Sequence, residues 1–177
     1  MMLKRSWIVF SLLLFLSACE QKPAQKKVFD LLDGSVSGIN FAIQLEYDVY
    51  LNAYTYRNFY NGAGVAVGDL NNDGLQDLYF AGNLVDNKLY LNKGDFQFED
   101  ITITAGVTAS EVWSTGVSMA DVNGDGWLDI YVCKSGPLGG DNRRNSLYIN
   151  KGDLTFTDTA AAYEVADMGL STNTAFM

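Results

Sequence analysis

Two nine-residue stretches of the sequence place oxygen-bearing side chains at alternate positions. They are DLNNDGLQD at residues 69–77 and DVNGDGWLD at residues 121–129, and both have the form D-x-N-x-D-G-x-x-D. Side chains at positions 1, 3, 5 and 9 and the backbone carbonyl of position 7 can converge on a hard cation, while glycine at position 6 permits a sharp turn. The predicted ligands are Asp69, Asn71, Asp73, Leu75 and Asp77, and then Asp121, Asn123, Asp125, Trp127 and Asp129.

The charge of these stretches favours Ca²⁺ as the bound ion. Two carboxylates about 4 Å apart repel by roughly 4 kcal/mol at an effective dielectric of about 20, so three in one turn need a dication among them. Mg²⁺ suits the pattern less well, because it keeps its waters and demands octahedral geometry. The alternative is a pair of ordinary surface turns, since Asn, Asp and Gly favour turns. Two complete copies in register favour calcium.

Helical calcium-binding motifs do not fit the flanking sequence. An EF-hand loop begins with the same spacing but requires a glutamate at position 12 and a helix on each side. Position 12 is Phe80 in one copy and Val132 in the other, each within an apolar run typical of a strand. The chain also contains no histidine, which removes the commonest nitrogen ligand and the usual general acid or base near neutral pH.

The acidic stretches belong to an internal repeat. Residues 64–83, GVAVGDLNNDGLQDLYFAGN, align with residues 116–135, GVSMADVNGDGWLDIYVCKS. NKLYLNKGD then matches NSLYINKGD after an insertion at residues 136–144, which we expect to form a surface loop. Four short apolar or alternating runs per repeat predict four strands. The turn before the fourth strand contains Gly94 in one repeat and Gly152 in the other, and both glycines are expected at positive φ. Four strands in about 50 residues is the size of a β-propeller blade.

The end of the sequence begins to repeat once more. STNTAFM, residues 171–177, aligns with STGVSMA at residues 114–120. Because a propeller typically needs 4 to 8 blades to close, we expect the sequence to be the N-terminal part of a longer protein. A short protein that completes its ring by oligomerisation is the alternative.

These motifs resemble FG-GAP, or VCBS-type, repeats, which form the calcium-binding blades of integrin α-subunit propellers and of many secreted bacterial proteins. The resemblance is closest to bacterial envelope proteins that carry such repeats ahead of an ASPIC/UnbV-type C-terminal module. It covers residues 36–177 and implies an all-β fold, a partial propeller of two four-stranded blades and the start of a third. It also implies Ca²⁺ between the first two strands of a blade, and it implies no catalytic activity.

The N-terminus is typical of a targeting segment. Lys4 and Arg5 precede a largely apolar stretch of ten residues, 7–16, which is too short for a bilayer span of roughly 20 residues. The tetrad LSAC at residues 16–19 resembles the lipobox of bacterial lipoproteins. We therefore predict a signal peptide over residues 1–18, a lipidated Cys19 and a tether to residue 35. The alternative is an ordinary secretory signal.

Charge limits the partners. Cleavage after residue 18 would remove Lys4 and Arg5 and no acid, taking the net charge from −9 to −11. A chain of this charge repels nucleic acid. It also does not bind anionic membrane through its polypeptide, so membrane contact is assigned to the lipid at Cys19 alone. The predicted location is the bacterial envelope, as an outer-membrane lipoprotein that faces either the periplasm or the cell surface.

The predicted function is a calcium-binding, lipid-anchored interaction module for a protein or a glycan, without enzymatic activity. The alternative is the non-catalytic part of an envelope enzyme whose active site lies in further chain. The aromatic-rich residues 47–62 are predicted to form a strand packed on a neighbouring blade, with a platform for sugars or a partner as the alternative. We expect Cys133 to be buried, Trp127 to cover the calcium loop, and Arg143 and Arg144 to be solvated rather than to hold an anion.

Overall fold

The computed structural model describes residues 28–137 and 140–176, and a compact unit begins at Leu32. Two four-stranded antiparallel sheets make up most of this unit, and in each sheet the strands neighbour one another in chain order. The first sheet consists of β1 (Val65–Gly68), β2 (Asp77–Phe80), β3 (Lys88–Asn92) and β4 (Phe98–Asp100). The second consists of β5 (Trp113–Ala120), β6 (Asp129–Ser135), β7 (Ser146–Asn150) and β8 (Phe156–Asp158). The two predicted blades of a partial β-propeller are confirmed.

The core lies between the two sheets, and in β1 and β2 alternate residues point to it. In β1, for example, Ala66 is buried whereas Val65 and Val67 are exposed. The central side chains include Tyr79 and Leu89 of the first sheet, which belong to one cluster with residues of the second sheet. Each large apolar side chain buried in this way contributes roughly 1.5–3 kcal/mol.

Backbone contacts at glycines join the first strands of successive blades. The amide of Gly64, just before β1, donates to the carbonyl of Thr115 in β5. A Cβ at Gly64 would lie 2.9 Å from that carbonyl oxygen, so a side chain would force the strands apart. Gly116 repeats this arrangement with the next segment, since a Cβ there would lie 2.7 Å from the carbonyl oxygen of Thr172. Residues 171–174 thus lie against β5 as β5 lies against β1, as expected for the start of a third blade.

The aromatic-rich residues 47–62 do not form a strand, so that prediction was wrong. The segment is a series of turns stabilised by its own side chains. Asp48 Oδ1 accepts hydrogen bonds from the amides of Tyr50 and Leu51, both at 2.7 Å, and Asn52 Oδ1 accepts one from the amide of Tyr54 at 2.9 Å. Such local bonds satisfy backbone groups that a strand would otherwise pair.

Three short helical turns complete the described structure. These are α1 (Gly34–Ser37), α2 (Thr102–Ala105) and a 3₁₀ turn over Gly140–Arg143. The 3₁₀ turn belongs to the predicted insertion, which connects β6 to β7. Among the described residues, no helix has the length and apolar character needed to cross a bilayer. The predicted signal peptide, Cys19 and the tether up to residue 27 lie outside the described residues.

Candidate metal sites

Each acidic stretch forms the connection between the first two strands of a blade. The antiparallel ladder closes where the stretch begins and ends, since Gly68 pairs with Asp77 and Ala120 pairs with Asp129. Position 1 therefore follows a strand directly and position 9 starts the next one. The glycine at position 6 has φ of +86° in the first loop and +90° in the second, a conformation that glycine adopts at little cost. The predicted turn at this glycine is confirmed.

Positions 1 and 3 direct their oxygens to the inside of the turn. In the first loop the amide of Asp73 donates to Asp69 Oδ1 at 3.1 Å and to Asn71 Oδ1 at 3.2 Å. Two oxygens within reach of one nitrogen must lie on the same side of the loop. The corresponding amide of the second loop donates to the corresponding oxygens at 3.1 and 3.0 Å. The two loops therefore share one geometry.

Position 5 links this group to position 7. Asp73 Oδ1 accepts from the amide of Leu75 at 2.8 Å, and Asp73 Oδ2 accepts from Asn71 Nδ2 at 2.9 Å. In the second loop Asp125 Oδ1 accepts from the amide of Trp127 at 2.9 Å. The carboxylate at position 5 thus fixes the backbone of the residue whose carbonyl is the predicted ligand.

Position 9 places a carboxylate at the buried base of each loop. Asp77 is fully buried, and its two oxygens accept hydrogen bonds from the amides of Leu70 at 2.9 Å and Asn92 at 2.8 Å. Asp129 is equally buried and accepts from the two equivalent amides. Within the described part of the chain, the lysine and arginine ion pairs involve other acids. These two carboxylates are therefore buried without a neutralising cationic side chain.

The carboxylates of each loop influence one another. Burial raises the pKa of Asp77 and of Asp129, and the carboxylates at positions 1 and 5 of the same loop raise it further. Two backbone hydrogen bonds act in the opposite direction on each group. At Asp121 the amide of Gly126 has the largest effect, and the pKa is lowered. Like charges thus share one small volume in each loop.

The predicted ligands lie in one turn per blade, but their oxygens are directed to backbone amides. Across residues 28–137 and 140–176, no three acidic or cysteine side chains are grouped closely enough to hold a metal ion in the arrangement seen. A bound ion would have to draw the oxygens of positions 1, 3 and 5 from the amides towards itself. The Ca²⁺ assignment therefore stays a prediction.

Sequence reasoning missed an asparagine that joins the two loops. Asn150 ends β7 and is 2% exposed. Its Nδ2 donates to the carbonyl of Leu70 in the first loop at 2.9 Å and to that of Leu128 in the second at 3.2 Å. Asn92 occupies the same place in the first blade, but within the described part of the chain its Nδ2 donates only to the carbonyl of Gln76. The shared motif LY-x-N was the signal that could have identified this position.

The other single residues follow expectation only in part, since Arg143 is half-buried and its Nε is enclosed without a hydrogen-bond partner among the described residues, contrary to the prediction that it is solvated. Trp127 of the second acidic loop is half-buried. Its indole ring packs on the turn between β7 and β8, where a Cβ on Gly152 would lie 3.0 Å from it. Cys133 is 1% exposed, which confirms the prediction, and burial raises the pKa of its thiol. Arg144 forms an exposed ion pair with Asp141 at 2.6 Å. None of these groups adds an oxygen ligand to the loops.

Comparison with known proteins identifies the repeat. Residues 69–132 match the FG-GAP-like repeat family. Cartilage acidic protein 1 of Xenopus tropicalis is 37% identical over 112 residues, which is 62% of this chain and 16% of that protein. The Homo sapiens protein of the same name is 32% identical over 100 residues, 56% of this chain and 15% of that protein. The chain thus spans about a sixth of the length of these relatives.

These relatives are eukaryotic, so the bacterial lipoprotein and ASPIC/UnbV assignments stay predictions. The matched region begins at the first residue of the first acidic loop and ends within β6, so it contains both loops. The chain carries an FG-GAP-like repeat within a partial β-propeller.

Proposed function

We propose that this chain is a calcium-binding, lipid-anchored β-propeller module of the bacterial cell envelope that binds a protein or a glycan. The observation that carries the calcium part is the matched pair of loops. Each loop brings three carboxylates into one turn, and each buries one of them without an ion pair to a lysine or arginine of residues 28–137 and 140–176. The FG-GAP-like repeat supports the role of an interaction module.

The chemistry of the donors fits Ca²⁺. All side-chain donors are carboxylate or amide oxygens, the ligands of a hard cation that takes 6–8 oxygens in flexible geometry. In the first loop Asp69, Asn71, Asp73 and Asp77 would supply side-chain oxygens and Leu75 its carbonyl. When bound, the ion would supply positive charge that offsets the repulsion among the carboxylates. The loop would then hold the end of β1 to the start of β2, so the ion's role is structural.

The anchor and the location rest on sequence. The lipobox-like LSAC tetrad supports lipid attachment at Cys19, and the net charge of −9 argues against nucleic acid as a partner. Several acyl chains hold a protein to a membrane far better than one, so a lipoprotein-type anchor needs no basic patch on the polypeptide. The loop aspartates are assigned to metal binding, and the proposed module has no catalytic role.

Calorimetry of the full chain tests the calcium part. After treatment with chelator, Ca²⁺ should raise Tm, because a ligand that binds only the folded state at 100 times its Kd adds about 2.7 kcal/mol per site. For a chain of this size, that corresponds to a rise of about 5–11 °C per occupied site. Mg²⁺ at equal concentration serves as the control and should give a smaller rise. An unchanged Tm at millimolar Ca²⁺ would contradict the metal assignment.

Lipid attachment has its own test. In a bacterial host, the full chain should incorporate a labelled fatty acid and sediment with membranes, whereas Cys19→Ser should do neither. Cys133→Ser is the matched control, since that thiol is buried in β6 and should leave labelling unchanged. Labelling that persists in the Cys19→Ser chain would contradict the anchor.

A further inference from the structure

A cavity of about 350 Å³ lies at the end of the first strands opposite the metal loops. β1 runs from Val65 into the loop that begins at Asp69, so the residues before β1 lie at the other end of the strand. Residues 61–64 line the cavity together with the start of β5 and with Thr172 and Asn173 at the start of the third repeat. The cavity is therefore built where three successive repeats meet.

The described residues that line this cavity carry no charged side chain, although the chain has a net charge of −9. Its polar side chains are the amides of Asn58, Asn61 and Asn173 and the hydroxyls of two threonines, and its aromatic side chains are Tyr56 and Trp113. Amides both donate and accept hydrogen bonds, which suits neutral hydroxyl groups. Concave sites with apolar walls and a few convergent polar groups are typical of small-molecule binding.

The aromatic part of the cavity is held rigidly. Trp113 is 1% exposed and forms part of the wall, with the Tyr56 ring edge-on to it at a centroid distance of 5.0 Å. The Tyr56 hydroxyl lies 3.3 Å from Ser135 Oγ, which ties the ring at its other end. A ligand would therefore meet the half-buried ring of Tyr56, whose orientation is already fixed by the buried Trp113, and this lowers the entropic cost of binding.

The amide pair at the rim presents both a donor and an acceptor. Asn61 Nδ2 donates to Asn58 Oδ1 at 3.2 Å. This bond leaves Asn58 Nδ2 and Asn61 Oδ1 without a partner among the described residues, and both side chains belong to exposed residues. A vicinal pair of hydroxyls could accept from the first and donate to the second.

We infer that this cavity binds a neutral saccharide unit. The volume lies near the lower end of the range of about 300–1,000 Å³ for ligand pockets, which suits a small sugar rather than a long chain. The absence of lining charge argues against an anionic sugar or a charged peptide side chain. The inference rests on the proposed interaction function and specifies a glycan, rather than a protein, as the bound partner.

Saturation-transfer NMR on the full chain with Ca²⁺ tests the inference. The probes are glucose, galactose, mannose and N-acetylglucosamine at millimolar concentration, with galacturonate and N-acetylneuraminate as anionic counterparts. At least one neutral sugar should receive saturation, and Asn61→Ala should weaken its binding about tenfold, the loss of roughly 1.4 kcal/mol. Asn142→Ala is the matched control, because Asn142 is exposed but does not line the cavity.

Three results would overturn the inference: no signal from any neutral sugar, equal binding by the Asn61→Ala chain, or binding of the anionic sugars alone. The outcome is separate from that of the calcium experiment. A calcium-dependent rise in Tm without a sugar signal would refute the saccharide site and leave the proposed metal role. A sugar signal without a calcium-dependent rise in Tm would support the saccharide site and refute the proposed metal role.

Discussion

Replacement of Asn150 by alanine tests whether one side chain joins the two blades at their loops. In the native chain its Nδ2 donates to the carbonyls of Leu70 and Leu128, at 2.9 and 3.2 Å, and its Oδ1 accepts from the amide of Gly152 at 3.0 Å. Leu70 belongs to the loop of the first blade, whereas Leu128 belongs to that of the second. Asn150→Ala removes all three bonds and leaves their backbone partners without this side chain.

The expected cost follows from these three hydrogen bonds. A typical intramolecular hydrogen bond contributes about 1 kcal/mol net, and a buried group left unpaired costs about 1–3 kcal/mol. Because Asn150 is 2% exposed, water has little access to replace the lost amide. We expect Asn150→Ala to lower the free energy of unfolding by about 3 kcal/mol. Tm should fall by about 6–12 °C.

Asn92→Ala is the matched control from the first blade. Asn92 ends β3 as Asn150 ends β7, but its side chain makes two hydrogen bonds, to the carbonyl of Gln76 and from the amide of Gly94. These bonds lie at a more exposed edge, so water can replace them and the expected loss is about 1 kcal/mol. Urea denaturation of both variants measures the difference directly. Equal losses would refute the view that the bond to the first loop stabilises the pair of blades.

Three further predictions concern single residues. Asp73→Asn and Asp125→Asn should each remove about half of the calcium-dependent rise in Tm, since each disables one of two loops; calorimetry showing the full rise would contradict this. Lys134→Met should stabilise the chain by about 1 kcal/mol at neutral pH, because burial lowers the pKa of the Lys134 amine and, among the described residues, only Ser146 Oγ bonds it. Between that lowered pKa and about 10.4, the Lys134 amine binds a proton more readily in the unfolded state than in the native state, so the free energy of unfolding of the native sequence rises with pH. The stability advantage of Lys134→Met, measured by urea denaturation at several pH values, should therefore shrink over this range. Cys133 should react with thiol reagents at the rate of unfolding, and rapid reaction in native buffer would contradict its burial.

The sheets and the loop positions could be predicted because each of the two copies constrains the other. A run of four apolar residues is ambiguous alone, but two aligned runs that flank the same acidic motif define a strand pair. In the structure, β2 begins at Asp77 and β6 at Asp129, which are the ninth residues of the two acidic motifs. Glycines at matched positions of the two copies likewise predicted the turns, and Gly94 and Gly152 have the expected positive φ, +85° and +77°.

The remaining features depend on contacts that no local pattern reveals. Residues 47–62 have the composition of a strand, yet Asp48 and Asn52 bond the nearby backbone and turn the chain instead. The bond from Asn150 to Leu70 joins residues 80 positions apart in the chain. Lys134 aligns with Gly82, and its backbone amide donates to an asparagine side-chain oxygen in the same way, but only the folded chain shows that its amine is buried.

The two acidic loops and the cavity proposed to bind a saccharide lie at opposite ends of the first strands, so a substitution at one end should leave the other intact. At the cavity end, the backbones meet at Gly64, where a Cβ would lie 2.9 Å from the Thr115 carbonyl oxygen. Gly64→Ala should therefore push β1 from β5 at the cavity and abolish the sugar signal. The loop hydrogen bonds lie beyond Gly68 and should survive, so the calcium-dependent rise in Tm should persist. A Gly64→Ala chain that folds but loses both responses would show that the two ends depend on each other.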